Sequence, residues 1–223
     1  MQLYLEVLKS IERFIFFRSS TQELAEFDKR YLVLGFLLVW LAGVGRHWDD
    51  AEASMLQASG IGSLIYVLFL SGYLWLFLWP LAPERWNYRQ VLTVVCMTAP
   101  PAFLYAIPIE RWMNLEMSHV VNLTVLGIVA VWRVALFLFY LIRGAKLHWW
   151  HSLVGVLLPL SIIVIIAGVL AVAASITDGM AGTRAPQSNP VRNVAEFMGT
   201  LSAFAFIPLL IAYIHSIYRI HRA

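Results

Sequence analysis

The 223-residue chain is 61% hydrophobic and 13% charged, with a mean hydropathy of +0.75 and a net charge of +3. A water-soluble domain of this size could not bury so much apolar surface, so the composition points to a bilayer. The positive charge is scattered rather than gathered into a basic stripe, which excludes a nucleic-acid partner, and a single cysteine, Cys96, excludes disulfide frameworks, CxxC redox chemistry and cysteine-rich metal sites.

No secretory signal is expected at the start of the chain, because Glu6, Lys9, Glu12 and Arg13 interrupt any apolar core of one. Tyr4, Leu8, Ile11 and Ile15 instead recur at helical spacing opposite a narrow stripe of Gln2, Glu6, Lys9 and Arg13. This predicts an amphipathic helix, either lying in the membrane interface or packed on the ends of a bundle. Ser20 with Glu23 three residues later is a capping-box pattern, predicting a second helix that starts there and can run on into the first apolar segment.

Six apolar runs follow, at residues 31–45, 61–79, 91–109, 120–142, 153–176 and 198–217. A helix needs about 20 apolar residues to cross the hydrocarbon. The first run would reach only roughly 22 Å, so Lys29, Arg30 and Arg46 must snorkel or the bilayer must thin. Apart from Arg133, which lies inside a run, six crossings leave only Arg46, Arg111, Arg184 and Arg192 on one side and every other Lys and Arg on the opposite side. Basic residues resist translocation, which predicts both termini in the cytoplasm. The expected fold is all-α: a polytopic membrane bundle of about six transmembrane helices with an N-terminal amphipathic helix. Residues 1–30 form the lead, 31–217 the bundle and 218–223 a tail, and a prokaryotic inner (plasma) membrane is the expected setting.

Along these runs, the third carries Pro100, Pro101 and Pro108, each lacking an amide donor, so its helix must be kinked or broken. A broken helix can line a ligand site, or a neighbour can simply heal the kink. Asn122 stands in the fourth run, where the sequon Asn122-Leu123-Thr124 is out of reach of glycosylation. Arg133 lies well inside the same run. A guanidinium there costs about 2.5 to 3.5 kcal/mol on insertion scales and cannot deprotonate. No Asp or Glu lies in any of the six runs. Its charge must therefore be met by a hydroxyl such as Thr98, Thr93 or Ser161, by carbonyls freed at Pro100, Pro101 or Pro159, by a lipid phosphate, or by an acid on a partner chain. Arg133, Thr98, Pro100, Pro101 and Asn122 form the candidate ligand or partner site.

His47, Asp49, Asp50 and His119 could together hold a divalent metal, although no HExxH-like pair is present and Asp49 with Glu52 also suits a capping box for a short helix over residues 50–59. His148 and His151 flank Trp149 and Trp150 as an interfacial anchor would. Ala167, Gly168, Ala171 and Ala174 offer a small-residue face for helix packing, and Cys96 reads as a small packing residue.

The lead over residues 1–17, the capped helix over 20–29 and the strings AGVGRHWDD and TAPPAFLYAIPIERW within a short-looped bundle resemble small bacterial membrane proteins of the Yip type. That resemblance implies a role in membrane organisation and no assigned activity; a sixth span departs from the five usual there, and no functional residue carries over. With no GxGxxG, P-loop, GxSxG or DxxD signature, an enzyme is the least expected class and no cofactor is expected. Three readings remain. The first is a non-enzymatic scaffold or partner-binding subunit, whose partners would be the bilayer and a second copy or another membrane protein. The second is a channel, transporter or lipid-handling protein using Arg133 and the broken third run. The third is a membrane-embedded enzyme working through Asp49, Asp50 and His119.

Overall fold

The computed structural model describes residues 2–25, 27, 29–48, 53–84, 86–180 and 190–222. Among them the chain is helical, without a strand. The α-helices in order are α1 (Gln2–Ile15), α2 (Thr21–Ala25), α3 (Lys29–His47), α4 (Met55–Ala58), α5 (Ile61–Leu78), α6 (Tyr88–Met97), α7 (Leu115–Arg143), α8 (Trp149–Met180) and α9 (Pro190–Arg222). Short 3-10 segments follow α5 and α6. Four stretches are long and apolar enough to cross a membrane, namely Ile61–Leu81, Val120–Arg143, Trp149–Ala174 and Val191–Arg222. This is the layout of a multi-pass integral membrane protein. Helix α3 is 19 residues long but begins with Lys29 and Arg30 and ends with Arg46 and His47, which keeps it outside that set. The chain forms two compact units, Met1–Ser152 and Leu153–Ala223.

In the first unit the lead is packed rather than free. Val7, Ser10, Ile11 and Phe14 are buried at spacings of three and four residues. The buried stripe is rotated from the one expected from periodicity: Leu8 is exposed and Ile15 only half-buried, because the aromatic rings decide the docking face. Phe14 and Phe17 both contact the Phe139 ring of α7, Phe16 lies against Trp132, and the Trp132 indole N–H donates to the Ile15 carbonyl at 3.1 Å. That bond satisfies a carbonyl left open where α1 ends. The capping box of α2 forms in both directions: Ser20 N–H donates to Glu23 at 3.1 Å and Glu23 N–H to Ser20 Oγ at 3.2 Å. Glu23 also pairs with Arg13 of α1. Helix α2 stops at Ala25 instead of continuing into α3.

Helix α3 is the hub of the unit because its buried stripe is small: Gly35, Val39, Ala42 and Gly43. It packs against α5, α6 and the 3-10 segment Pro100–Ala106. A Cβ on Gly35 would lie 2.7 Å from the Cβ of Cys96 on α6, and one on Gly43 would lie 2.5 Å from Ser63 Oγ on α5. Gly60, the N-cap of α5, has φ +71°, and a Cβ there would also meet the Trp40 carbonyl at 2.8 Å. The short helix before it starts at Met55, not Asp50, and takes its capping box from Ser54 and Gln57; the expected Asp49/Glu52 cap lies outside the described residues.

The third apolar run is broken, not merely bent. Helix α6 ends at Met97, Thr98 is its C-cap, and the chain continues as the 3-10 segment Pro100–Ala106. The residues that would donate to the Met97 carbonyl in a 3-10 or α-helical turn are Pro100 and Pro101, and neither has an N–H. Pro159 and Pro208, by contrast, sit inside continuous helices. Exposed tryptophans occur at both ends of the unit: Trp48 and Trp112 at one, and Trp79, Trp149 and Trp150 at the other. Amphipathic rings favour such belts where hydrocarbon meets headgroups.

In the second unit α8 and α9 approach closely at two glycines. A Cβ on Gly168 would sit 2.7 Å from the Gly199 Cα, and one on Gly199 would sit 2.8 Å from the Gly168 Cα. Of the small-residue face expected on α8, Gly168 meets Gly199, whereas Ala167 and Ala174 are exposed. Both helices outrun the loop expected at residues 177–197, of which 181–189 lie outside the described residues.

Candidate functional site

Arg133 projects from α7 toward the break after α6. Its Nε–H donates to Thr98 Oγ1 at 3.4 Å, and the Thr98 hydroxyl donates in turn to the Val95 carbonyl at 2.7 Å. The hydroxyl is therefore oriented with its lone pairs free to accept. Thr98 is itself buried, and Arg133 is half-buried. Because Thr98 caps the C-terminus of the ten-residue α6, the guanidinium also meets the negative end of that helix dipole.

These contacts offset only part of the cost of the charge. The helix terminus contributes about 0.3 to 1 kcal/mol in an ordinary exposed setting and up to about 2 when partly buried. A single bond of 3.4 Å is at the long end of the range and adds little. Against this stand about 2.5 to 3.5 kcal/mol for an arginine at mid-helix. The four N–H donors of the two terminal nitrogens have no partner among the described residues, and those nitrogens are not among the sealed, orphaned atoms of the protein. They are not sealed off inside the fold.

Measured along α7, Arg133 lies ten residues before Arg143, or about 15 Å. Helix α6, with ten residues, is also about 15 Å long. Both distances are half of a typical hydrocarbon core of about 30 Å.

A second cation approaches from the far end of α3. The Arg46 guanidinium lies 5.3 Å from the centre of the Tyr105 ring, in the 3-10 segment that follows the break. Tyr105 packs against the buried cluster of Ala42 on α3, Ala102 and Val129 on α7. Sequence reasoning did not connect Arg46 with Tyr105, since nothing in their spacing announces that the 3-10 segment after the break carries Tyr105 to the end of α3.

Of the site residues expected from sequence, Arg133 and Thr98 come together. Pro100 and Pro101 make the break that ends α6 at Thr98, and Pro101 is buried there. Asn122 does not join them: it lies eleven residues before Arg133 on α7, about 16 Å away along the axis, and is exposed. The expected metal group cannot be assembled, because Asp49 and Asp50, like the His119 side chain, lie outside the described residues; His47 ends α3. Among the described residues no three His, Cys, Asp or Glu side chains gather in a metal-binding arrangement. His148 and His151 have ring centres 5.6 Å apart, but the His148 Nδ1 accepts from the Trp150 N–H.

No protein family, curated protein or solved structure matches this chain.

Proposed function

We propose that this chain is a membrane transporter, channel or lipid-handling protein that takes an anionic group at Arg133. The observation that carries this reading is an intramembrane guanidinium with one long bond to Thr98 and four N–H donors left over, placed where Pro100 and Pro101 break a helix. A positive charge that protein groups only partly offset is lowered in energy by an incoming anion. We take the bundle to have six membrane-embedded segments: α3, α5, α6 with its 3-10 continuation, α7, α8 and α9. Both termini then share the side rich in Lys and Arg, the cytoplasm of a prokaryotic inner membrane. A scaffold or partner-binding subunit, the reading that sequence favours by default, gives no reason for an arginine kept half-satisfied beside a broken helix. An enzyme working through Asp49, Asp50 and His119 has even less to stand on.

The test is flux of anions and exchange of labelled lipid in liposomes carrying the wild-type protein, Arg133→Lys or Arg133→Ala. Activity in the wild type that is reduced by the lysine and abolished by the alanine is expected. Activity in none of them, or equal activity in all three, would remove the proposal.

A further inference from the structure

Helix α1 ends on a residue that its backbone disfavours. Phe17 has φ +59°, and the helix closes there as a Schellman turn, with the Arg18 N–H donating to the Arg13 carbonyl at 2.7 Å and the Phe17 N–H to the Phe14 carbonyl at 3.0 Å. Glycine usually fills that left-handed position, because a Cβ is strained in it. Here it holds a phenylalanine whose ring meets Phe139 of α7 edge to face at 5.5 Å and stays 40% exposed. Its neighbour Phe16 is 54% exposed although it lies against Trp132. Burial inside the fold therefore does not account for these residues: two large rings stand at the surface of a turn that glycine would make with less strain.

Two guanidiniums border the rings. That of Arg18 lies 6.0 Å from the centre of the Phe16 ring. Arg143, the last residue of α7, lays its guanidinium back by one turn to 5.3 Å from the centre of Phe139, the ring that Phe14 and Phe17 also touch. Both arginines are exposed, and among the described residues neither has a carboxylate partner: Arg13 takes Glu23, and Lys146 takes Glu84. Along α7 the contacts run from Trp132 through Phe139 to Arg143, so the rings lie toward the middle of the helix and the cation at its end. The exposed Trp149 and Trp150 open the next helix close beyond that end. Rings on one side and uncompensated cations on the other match the boundary where acyl chains meet phosphate.

We propose that the turn ending α1 is a docking surface for anionic phospholipid, with Phe16 and Phe17 set among acyl chains and Arg18 and Arg143 at headgroup phosphates. The surface is distinct from Arg133 and does not depend on the anion-binding reading above. An acyl chain removes the exposed rings from water. The guanidiniums, whose faces rest on rings, keep their edge N–H groups available to phosphate oxygens.

Hydrogen exchange at residues 12–18 reads the surface locally, in the full-length protein held in nanodiscs of phosphatidylcholine carrying increasing phosphatidylglycerol. Phosphatidylglycerol should slow this exchange in the wild type. Arg18→Gln and Arg143→Gln should each raise the fraction of phosphatidylglycerol needed by about fivefold, the share of one basic residue near an anionic membrane surface. Arg133→Gln, and Lys9→Gln at an exposed position two turns earlier on α1, should leave it unchanged. Phe17→Gly is the decisive variant, because glycine suits the backbone of the turn: its melting temperature in detergent should match the wild type, while the protection by phosphatidylglycerol is lost. Phe16→Ser leaves the strained position alone and should lose the protection as well, which keeps the test informative if Phe17→Gly loosens the turn by itself. Equal weakening by Lys9→Gln shows diffuse attraction and overturns the site. Protection by glycerol phosphate added to phosphatidylcholine discs shows a free-anion site, and protection only in discs holding two copies shows that a second chain covers the turn; either result overturns the lipid surface. Exchange that phosphatidylglycerol does not change overturns the proposal outright.

Discussion

Substituting Gly35 with alanine tests whether the crossing of α3 and α6 has the tightness that positions Thr98 for Arg133. The new Cβ would stand 2.7 Å from the Cys96 Cβ, with the next atoms, the Cys96 carbonyl carbon and the Met97 nitrogen, at 3.6 and 3.7 Å. Two methyl-sized carbons prefer roughly 3.5 to 4.0 Å, so the helices must separate by about 1 Å at this point. Overpacking of this kind typically costs about 1 to 3 kcal/mol. The clash is with Cβ and not with the thiol, which makes an unusual rescue pattern: Cys96→Ala keeps the offending carbon and should relieve nothing, whereas Cys96→Gly removes it. Cys96→Gly carries its own cost, roughly 0.3 kcal/mol of helix propensity plus lost burial. The double variant Gly35→Ala/Cys96→Gly should nevertheless be less destabilised than the sum of its single changes, by about 1 kcal/mol or more. Apparent melting temperatures of the full chain and its variants in one detergent measure the cycle. An unperturbed Gly35→Ala protein, or equal rescue by Cys96→Ala and Cys96→Gly, would refute the crossing. Because Thr98 lies two residues beyond Cys96, Gly35→Ala should also reduce anion binding, and the rescuing glycine should restore it.

Other consequences are as specific. Leucine at Gly168 drives a side chain into the Gly199 backbone and should lower the melting temperature, with no comparable effect from leucine at the exposed Ala167 one position away. Ser20→Ala removes one half of the α2 cap and should cost about 1 kcal/mol, seen as earlier proteolysis near the end of α1. Trp132→Phe keeps a ring beside Phe16 but leaves the Ile15 carbonyl without its donor, so amide exchange in the last turn of α1 should quicken while that of α5 stays as in the wild type. Thr98→Val removes the acceptor of Arg133 with little change of volume, and should destabilise the ligand-free protein more than Thr98→Ser, which keeps a hydroxyl.

Much of this architecture was legible because it rests on local composition. Long apolar stretches separated by polar turns give α5, α7, α8 and α9, and the capping box at Ser20 is a pattern of hydrogen-bond geometry spelled in two letters. Proline chemistry located the break at Pro100 and Pro101. What could not be read was tertiary. The docking face of α1 is set by Phe14 and Phe17 meeting Phe139, 125 and 122 positions away in the chain, and not by its own periodicity. The small stripe of α3 went unnoticed because Gly35 and Gly43 look like ordinary residues of an apolar run until Cys96 and Ser63 are brought against them. For the site, a charge inside an apolar run is visible in any sequence, so Arg133 stood out. Arg46 sits at a helix end, where an arginine needs no explanation, and only the fold places Tyr105 beside it.

The break in α6 and the charge on α7 explain each other. Taken alone, a ten-residue helix ending inside a bundle leaves carbonyls without donors, and Met97, followed at the critical positions by two prolines, has no helical way to satisfy its own. Taken alone, Arg133 is a guanidinium in a run of Val, Ala, Leu and Phe. Put side by side, the electron-rich end of the half-helix faces the cation, and Thr98 passes the contact from one to the other by donating to Val95 and accepting from Arg133. Yet the compensation is incomplete by construction, since one hydroxyl and one helix terminus cannot occupy five N–H donors. A purely structural arginine would gain by closing those bonds with protein groups; a binding arginine must leave them open to its ligand. The same arrangement therefore makes the empty site tolerable and keeps it receptive, and its prediction is directional: an anion should raise the melting temperature of the wild type and of Thr98→Val, and leave that of Arg133→Gln unchanged.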